Sequence, residues 1–149
     1  MEKRIVYMGP EGHACVVVPA KECGLTIEQI AEKDVPKGTP YRIVDAAIIP
    51  TDRTFRDAWV ISGPGLVVDM PKAREIHRWR LRAMRKPMME ALDVDFMRAM
   101  EAGDAAKQKD VTAAKQALRD VTVDPMIEAA TTPEALKAAI PGVLKGARP

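Results

Sequence analysis

The chain has 149 residues, 47% of them apolar and 30% charged, with 23 Lys and Arg against 21 Asp and Glu. That balance is globular rather than disordered, the length suits one domain or a small domain with an appended helical part, and a net charge of +2 does not by itself mark a polyanion binder. No apolar run is long enough to cross a bilayer, and the opening Met-Glu-Lys-Arg leads into a strand-like segment rather than a signal peptide's apolar stretch, so synthesis in the cytoplasm is expected.

Residues 3–8 (KRIVYM) and 14–18 (ACVVV) are β-branched runs separated by GPEGH, whose Gly9, Pro10 and Gly12 supply turn geometry; the pair predicts a hairpin. No GK[ST] follows the glycines and no helix opens there, so they do not read as a phosphate cradle. His13, at the hairpin's far edge, reads as a solvated turn residue. Cys15 and Cys23 are too few for a disulfide scaffold and lack metal-ligand spacing; they are buried or idle thiols unless the two segments face each other, in which case a bridge can form.

Thr26-Ile-Glu-Gln29 has capping-box form and predicts a short helix to about Lys33, with Ile27, Ile30 and Ala31 turned to the hairpin. Residues 35–40 (VPKGTP) stop it. A third strand is expected at 41–44, a loop at 48–52, a helical turn near 52–57 with Phe55 tucked inward, and a second hairpin where WVI (59–61) and LVV (66–68) flank Ser-Gly-Pro-Gly. Residues 1–69 thus read as a small antiparallel sheet with one helix.

Residues 69–101 read as one long helix. Asp69 can accept a bond from a free first-turn amide, and Pro71 sits where donors are unpaired anyway. Apolar residues at Ala73, Ile76, Ala83, Met84, Met88, Ala91, Leu92, Phe96 and Met100 fall three or four apart and mark one face. Pro87 removes an amide donor and crowds the Ala83 carbonyl, so a kink is expected between arms 70–86 and 87–101. The first arm carries Lys72, Arg74, Arg78, Arg80, Arg82, Arg85 and Lys86, opposed by Glu75. That run would suit phosphates, but it is spread round the helix and precedes an acidic half, which favours a solvated or protein-facing surface. Trp79 lies off the stripe: exposed, it is an anchor for a partner; buried, it packs on the sheet. Asp93 and Asp95, two apart, do not face each other as metal or acid–base pairs would.

Gly103 ends this helix and Asp104 caps the next, expected to about Asp120 with Val111, Ala114, Leu118 and Val121 inward; the short link makes the two antiparallel. Asp124-Pro125 and Thr132-Pro133 predict short helices at 125–130 and 133–139. The fold class is therefore α+β: an N-terminal unit at 1–69, a kinked helical hairpin with short C-terminal helices at 70–141, and a flexible tail at 142–149. The candidate site is a partner-binding surface of Trp79, Met84, Met88, Leu92, Phe96 and Met100. No residues have the spacing of a catalytic, cofactor or metal site.

The run KAREIHRWRLRAMRKPMMEALDVDFMRAMEAGD, then KQALRDVT, DP and TTPEALKAAIP, resembles small proteins encoded beside tail-fibre genes in tailed phages and prophages, and more distantly the C-terminal part of tail-fibre assembly chaperones. The similarity covers about residues 70–141, with weaker echoes in CGLTIEQIAEKDVPKGTPYRIVD and TDRTFRDAW. The chaperones end their last helix with Trp-Pro, where this chain has Ile140-Pro141. The resemblance implies a non-enzymatic protein that assists fibre folding in the host cytoplasm or stays in the virion, with tail-fibre or tail-tip proteins as partners and self-association as a further route to covering the helical stripe. The alternative is a nucleic-acid-binding regulator using the basic helix at 72–86.

Overall fold

The computed structural model describes residues 2–146. They fall into two compact units divided between Ala73 and Arg74.

The first unit is built on β1 (Lys3–Met8), which pairs antiparallel with β2 (Ala14–Val17) on one side and β3 (Tyr41–Asp45) on the other. Alternation along β1 sends its side chains to opposite faces, and each face is covered by a different element. Ile5, with Val17 and Ile43 beside it, packs on Ile30, Ala31 and Val35 from α1 (Ile27–Asp34) and the residue that ends it. Val6, with Ala14, Val16 and Val44, packs on Trp59 and Leu66 of a second hairpin, β4 (Trp59–Ser62) and β5 (Gly65–Val68). That hairpin forms its own two-stranded sheet rather than extending the first. The local signals hold: Thr26 accepts from the Gln29 amide at 3.3 Å while Gln29 Oε1 accepts from the Thr26 amide at 2.9 Å, and Phe55, buried, precedes a 3₁₀ turn at Arg56–Ala58. Both cysteines are free thiols, Cys23 exposed and Cys15 half-buried.

Helix α2 runs unbroken over Met70–Glu101, helical through Pro87, so the two arms belong to one element. Asp69 Oδ1 caps it by accepting from the Lys72 amide at 3.2 Å. At its other end Gly103 takes a positive φ of 65°, with Asp104 N–H on the Ala99 carbonyl at 2.9 Å and Gly103 N–H on Met100 at 3.0 Å, the paired closure that satisfies last-turn carbonyls. Asp104 then caps α3 (Ala105–Asp120) through the Lys107 amide at 2.9 Å. A 3₁₀ turn at Val121–Val123 leads to α4 (Pro125–Ala129) and α5 (Pro133–Ala138), each opened by the expected cap and proline. The mixed α+β class is as the sequence implies. No helix among the described residues is long and apolar enough to cross a membrane.

The tail departs from expectation. Gly142–Leu144 forms a 3₁₀ turn in which Leu144 is 0% exposed, and Pro141 before it is also buried, so this stretch is anchored in the second unit by those two side chains rather than left as a loose end. Burial of the leucine, worth about 2 kcal/mol, offsets part of the entropy of ordering the turn, and the Leu144 and Lys145 amides add bonds to the Pro141 and Gly142 carbonyls at 2.9 and 3.1 Å. The last three residues of the expected tail lie outside the described residues.

Candidate protein-interaction surface

The second unit is a helical hairpin whose pairings run in opposite directions along its two arms. Ala99 O accepts from Gln108 Nε2 at 3.3 Å, and Asp93 pairs with Lys115 at 2.5 Å. Further down, Arg85 Nη1 donates to the carbonyls of Leu118 and Arg119 at 3.1 and 2.9 Å, and Arg78 Nε donates to Thr122 O at 3.2 Å. Arg74 reaches the carbonyls of Ile127 and Ala130 at 3.2 and 2.9 Å. Falling residue numbers on α2 meet rising numbers opposite, as an antiparallel pair requires.

These three arginines have a structural task. A helix leaves its last carbonyls without intrahelical donors, and cations are favoured there. Arg85 satisfies the end of α3, Arg78 the turn that follows, and Arg74 the end of α4. Arg78 also forms ion pairs with Glu75 and Glu128. In the first unit, Lys72 Nζ donates to the Gly12 carbonyl. Four of the seven basic residues between 72 and 86 are therefore committed to backbone oxygens, and the run is less a phosphate-facing surface than its composition implies. Arg82 lies over the Trp79 ring, 5.1 Å from its centroid.

Of the residues that centre the inner face of α2, the apolar spacing singles out Ala73 but not His77, Leu81 or Ala99. Ala73, His77, Leu81 and Ala99 are its buried positions. His77 Nε2 lies 2.8 Å from the Ala139 carbonyl; since a carbonyl only accepts, Nε2 carries the proton. Burial, above the opposing effect of that bond, holds the imidazole's pKa below its ordinary value. The signal was present in the spacing, because 73, 77 and 81 are each four apart, but it required accepting a histidine into an apolar series.

The six candidate residues are not brought to one surface. Met88 and Leu92 line an open cleft of about 330 Å³ together with Ala91, Ala114, Leu118 and Val143, an almost wholly apolar lining. Met84 and Phe96 are half-buried, and Phe96 lies under Lys115, whose Nζ is 5.7 Å from the ring centroid. Met100 is 53% exposed and Ala83 is also exposed; both fall on the apolar stripe of the sequence, yet both face out. The small Ala99 takes the inward position at the closed end of the hairpin, where Gln108 approaches its carbonyl. Trp79 is 68% exposed, so its ring stands largely in solvent. Val143, from the segment read as a loose tail, is a wall of the cleft.

The first unit holds a polar cleft of about 250 Å³ that borders His13, Cys15, Arg53, Arg56, Asp57 and Trp59. Its reactive groups are engaged separately. His13 Nδ1 is 3.9 Å from Glu11, and Asp57 pairs with Arg56 at 3.2 Å. The Cys15 thiol lies against Gly9, and burial together with that thiol raises the Tyr7 phenol. Among the described residues, no three of His, Cys, Asp and Glu gather as a metal site. Asp93 and Asp95 are taken up by Lys115 and, at 3.7 Å, by Arg98.

In comparisons with known proteins, no protein-family model, curated sequence or solved structure matches this chain.

Proposed function

We propose that this chain is a phage tail protein, a tail-fibre or tail-tip component or a factor in fibre assembly, that works without catalysis by receiving an apolar segment of its partner between α2 and α3. The apolar cleft walled by Met88, Leu92, Leu118 and Val143 carries the reading. Methionine and leucine walls adapt to an incoming side chain, and burying apolar surface there releases water with no polar group left unpaired. The tail assignment rests on the resemblance of residues 70–141 to small tail proteins. The basic helix does not favour nucleic acid over protein, because its half-buried arginines are bound to carbonyl oxygens.

The test is affinity purification from phage-producing cells with mass spectrometry, alongside proteomics of purified particles. Recovery of a tail-fibre or tail-tip protein with the wild-type chain, and its loss with Leu92→Lys, is the expected result. Capture that excludes every fibre and tail protein, with the chain also missing from particles, overturns the reading.

A further inference from the structure

The face of α2 opposite its buried side is patterned as well. At about 100° per residue, Trp79, Ala83, Lys86, Glu90, Val94 and Met97 fall within a sector of about 80° centred opposite Leu81. All six are exposed, with Trp79 at 68%, Val94 at 50% and Met97 at 57%. A solvent-facing helix surface ordinarily carries mostly charge; this one sets a Trp, a Met and a Val beside Lys86 and Glu90.

We propose that this face pairs with the same face of a second copy, antiparallel, about a two-fold axis level with Met88. The order of residues along the stripe is what selects a second copy as the occupant. Its first half carries Lys86 with Arg82 at its edge and its second carries Glu90 with Asp93, already paired with Lys115, at its edge, so reversing one helix on the other sets opposite charges together. Trp79 then meets Met97 of the second copy, and Lys86 meets Glu90 of the second copy. Ala83 falls beside Val94, and each contact is made twice because a two-fold interface uses one patch on both chains. Thioether sulfur against an indole is a favourable contact, and the small Ala83 lets the helices approach. One flank opposes this: Arg80 falls near Arg98 of the second copy, although Arg98 has Asp95 beside it at 3.7 Å. A parallel pairing fares worse, since it places Lys86 on Lys86 and Glu90 on Glu90.

The stripe is about 27 Å long and one helix wide, less than the roughly 800 Å² per partner of a standard stable interface, so the dimer is weak, with a dissociation constant of order 100 µM. It uses the opposite side of α2 from the walls contributed by Met88 and Leu92, and so holds whatever occupies the cleft.

Sedimentation equilibrium of the full chain, from about 10 to 500 µM, tests it. Wild type shows a monomer–dimer equilibrium, and Trp79→Ala, Lys86→Glu and Glu90→Lys each weaken it by about tenfold with helicity by circular dichroism unchanged. Mixing Lys86→Glu with Glu90→Lys restores association as a dimer of one of each, since both 86-to-90 contacts again join opposite charges. The 86 and 90 residues within each chain remain like-charged in that mixture, so a gain in helix stability cannot mimic the restoration. A wild-type chain that stays monomeric throughout overturns the proposal. So does a dimer indifferent to all three substitutions, or a mixture that associates no better than its components.

Discussion

His77 Nε2 donates to the Ala139 carbonyl at 2.8 Å, from an imidazole that is 2% exposed, joining the first half of α2 to the end of α5. Burial lowers the pKa of this group from 6.5, so the folded chain prefers the neutral ring and the unfolded chain binds the proton first. The contribution is complete above 6.5 and is lost as pH falls from there through the lower folded value. Urea midpoints should decline from about pH 7.5 to 5.5, and His77→Gln, which keeps a donor but does not titrate, should flatten that decline. An unchanged slope in His77→Gln would remove this residue from the pH response.

Arg85 closes the last turn of α3. Replacing it with Ala leaves the carbonyls of Leu118 and Arg119 without the guanidinium and should destabilise the fold by about 1–2 kcal/mol in chemical denaturation. Lys109→Ala, on an exposed position of the same helix, should stay within about 0.5 kcal/mol of wild type. Equal effects would mean that the charge, not the carbonyl bonds, is what matters.

Leu144 decides whether the C-terminal segment is structural. Its side chain is 0% exposed, so Leu144→Ala should cost about 2–5 kcal/mol, while the exposed Lys145→Ala should cost almost nothing. Thermal melts that superimpose on wild type for Leu144→Ala would return this segment to the status of a loose end.

A triple Arg78, Arg80, Arg82→Ala variant separates the structural from the polyanion-binding use of the basic helix. Because Arg78 holds Thr122 and Glu128, the variant should melt several degrees lower, about 2 kcal/mol less stable, and the wild-type chain should leave duplex DNA unshifted in gels at low salt. A salt-sensitive gel shift by wild type, lost in a variant of unchanged stability, would reverse that assignment.

Elements were legible where the signal is local. Thr26, Asp69, Asp104, Asp124 and Thr132 were readable as caps because each side chain bonds an amide only two or three residues away. Side-chain destinations were less so. Met100 and Ala99 differ by one position, or about 100° of rotation, and a hydrophobicity pattern prefers the methionine while close approach at the hairpin's end prefers the alanine. The arginines were visible as charge, but their carbonyl partners lie 33 to 56 residues away and have no signature in sequence.

The sequence by itself determined the order and kind of elements, the two hairpins, the capped helices and the absence of a long apolar span, because caps, turns and periodicity act over a few residues. Only the tertiary structure decided that a histidine and a leucine centre the inner face of α2. It also turned three arginines into closures for other helices, made Leu144 core, and left Trp79 in solvent. Those outcomes depend on which distant backbone groups lack partners once the chain has turned back on itself, and an unsatisfied carbonyl or a vacant space of one leucine exists only in the folded molecule.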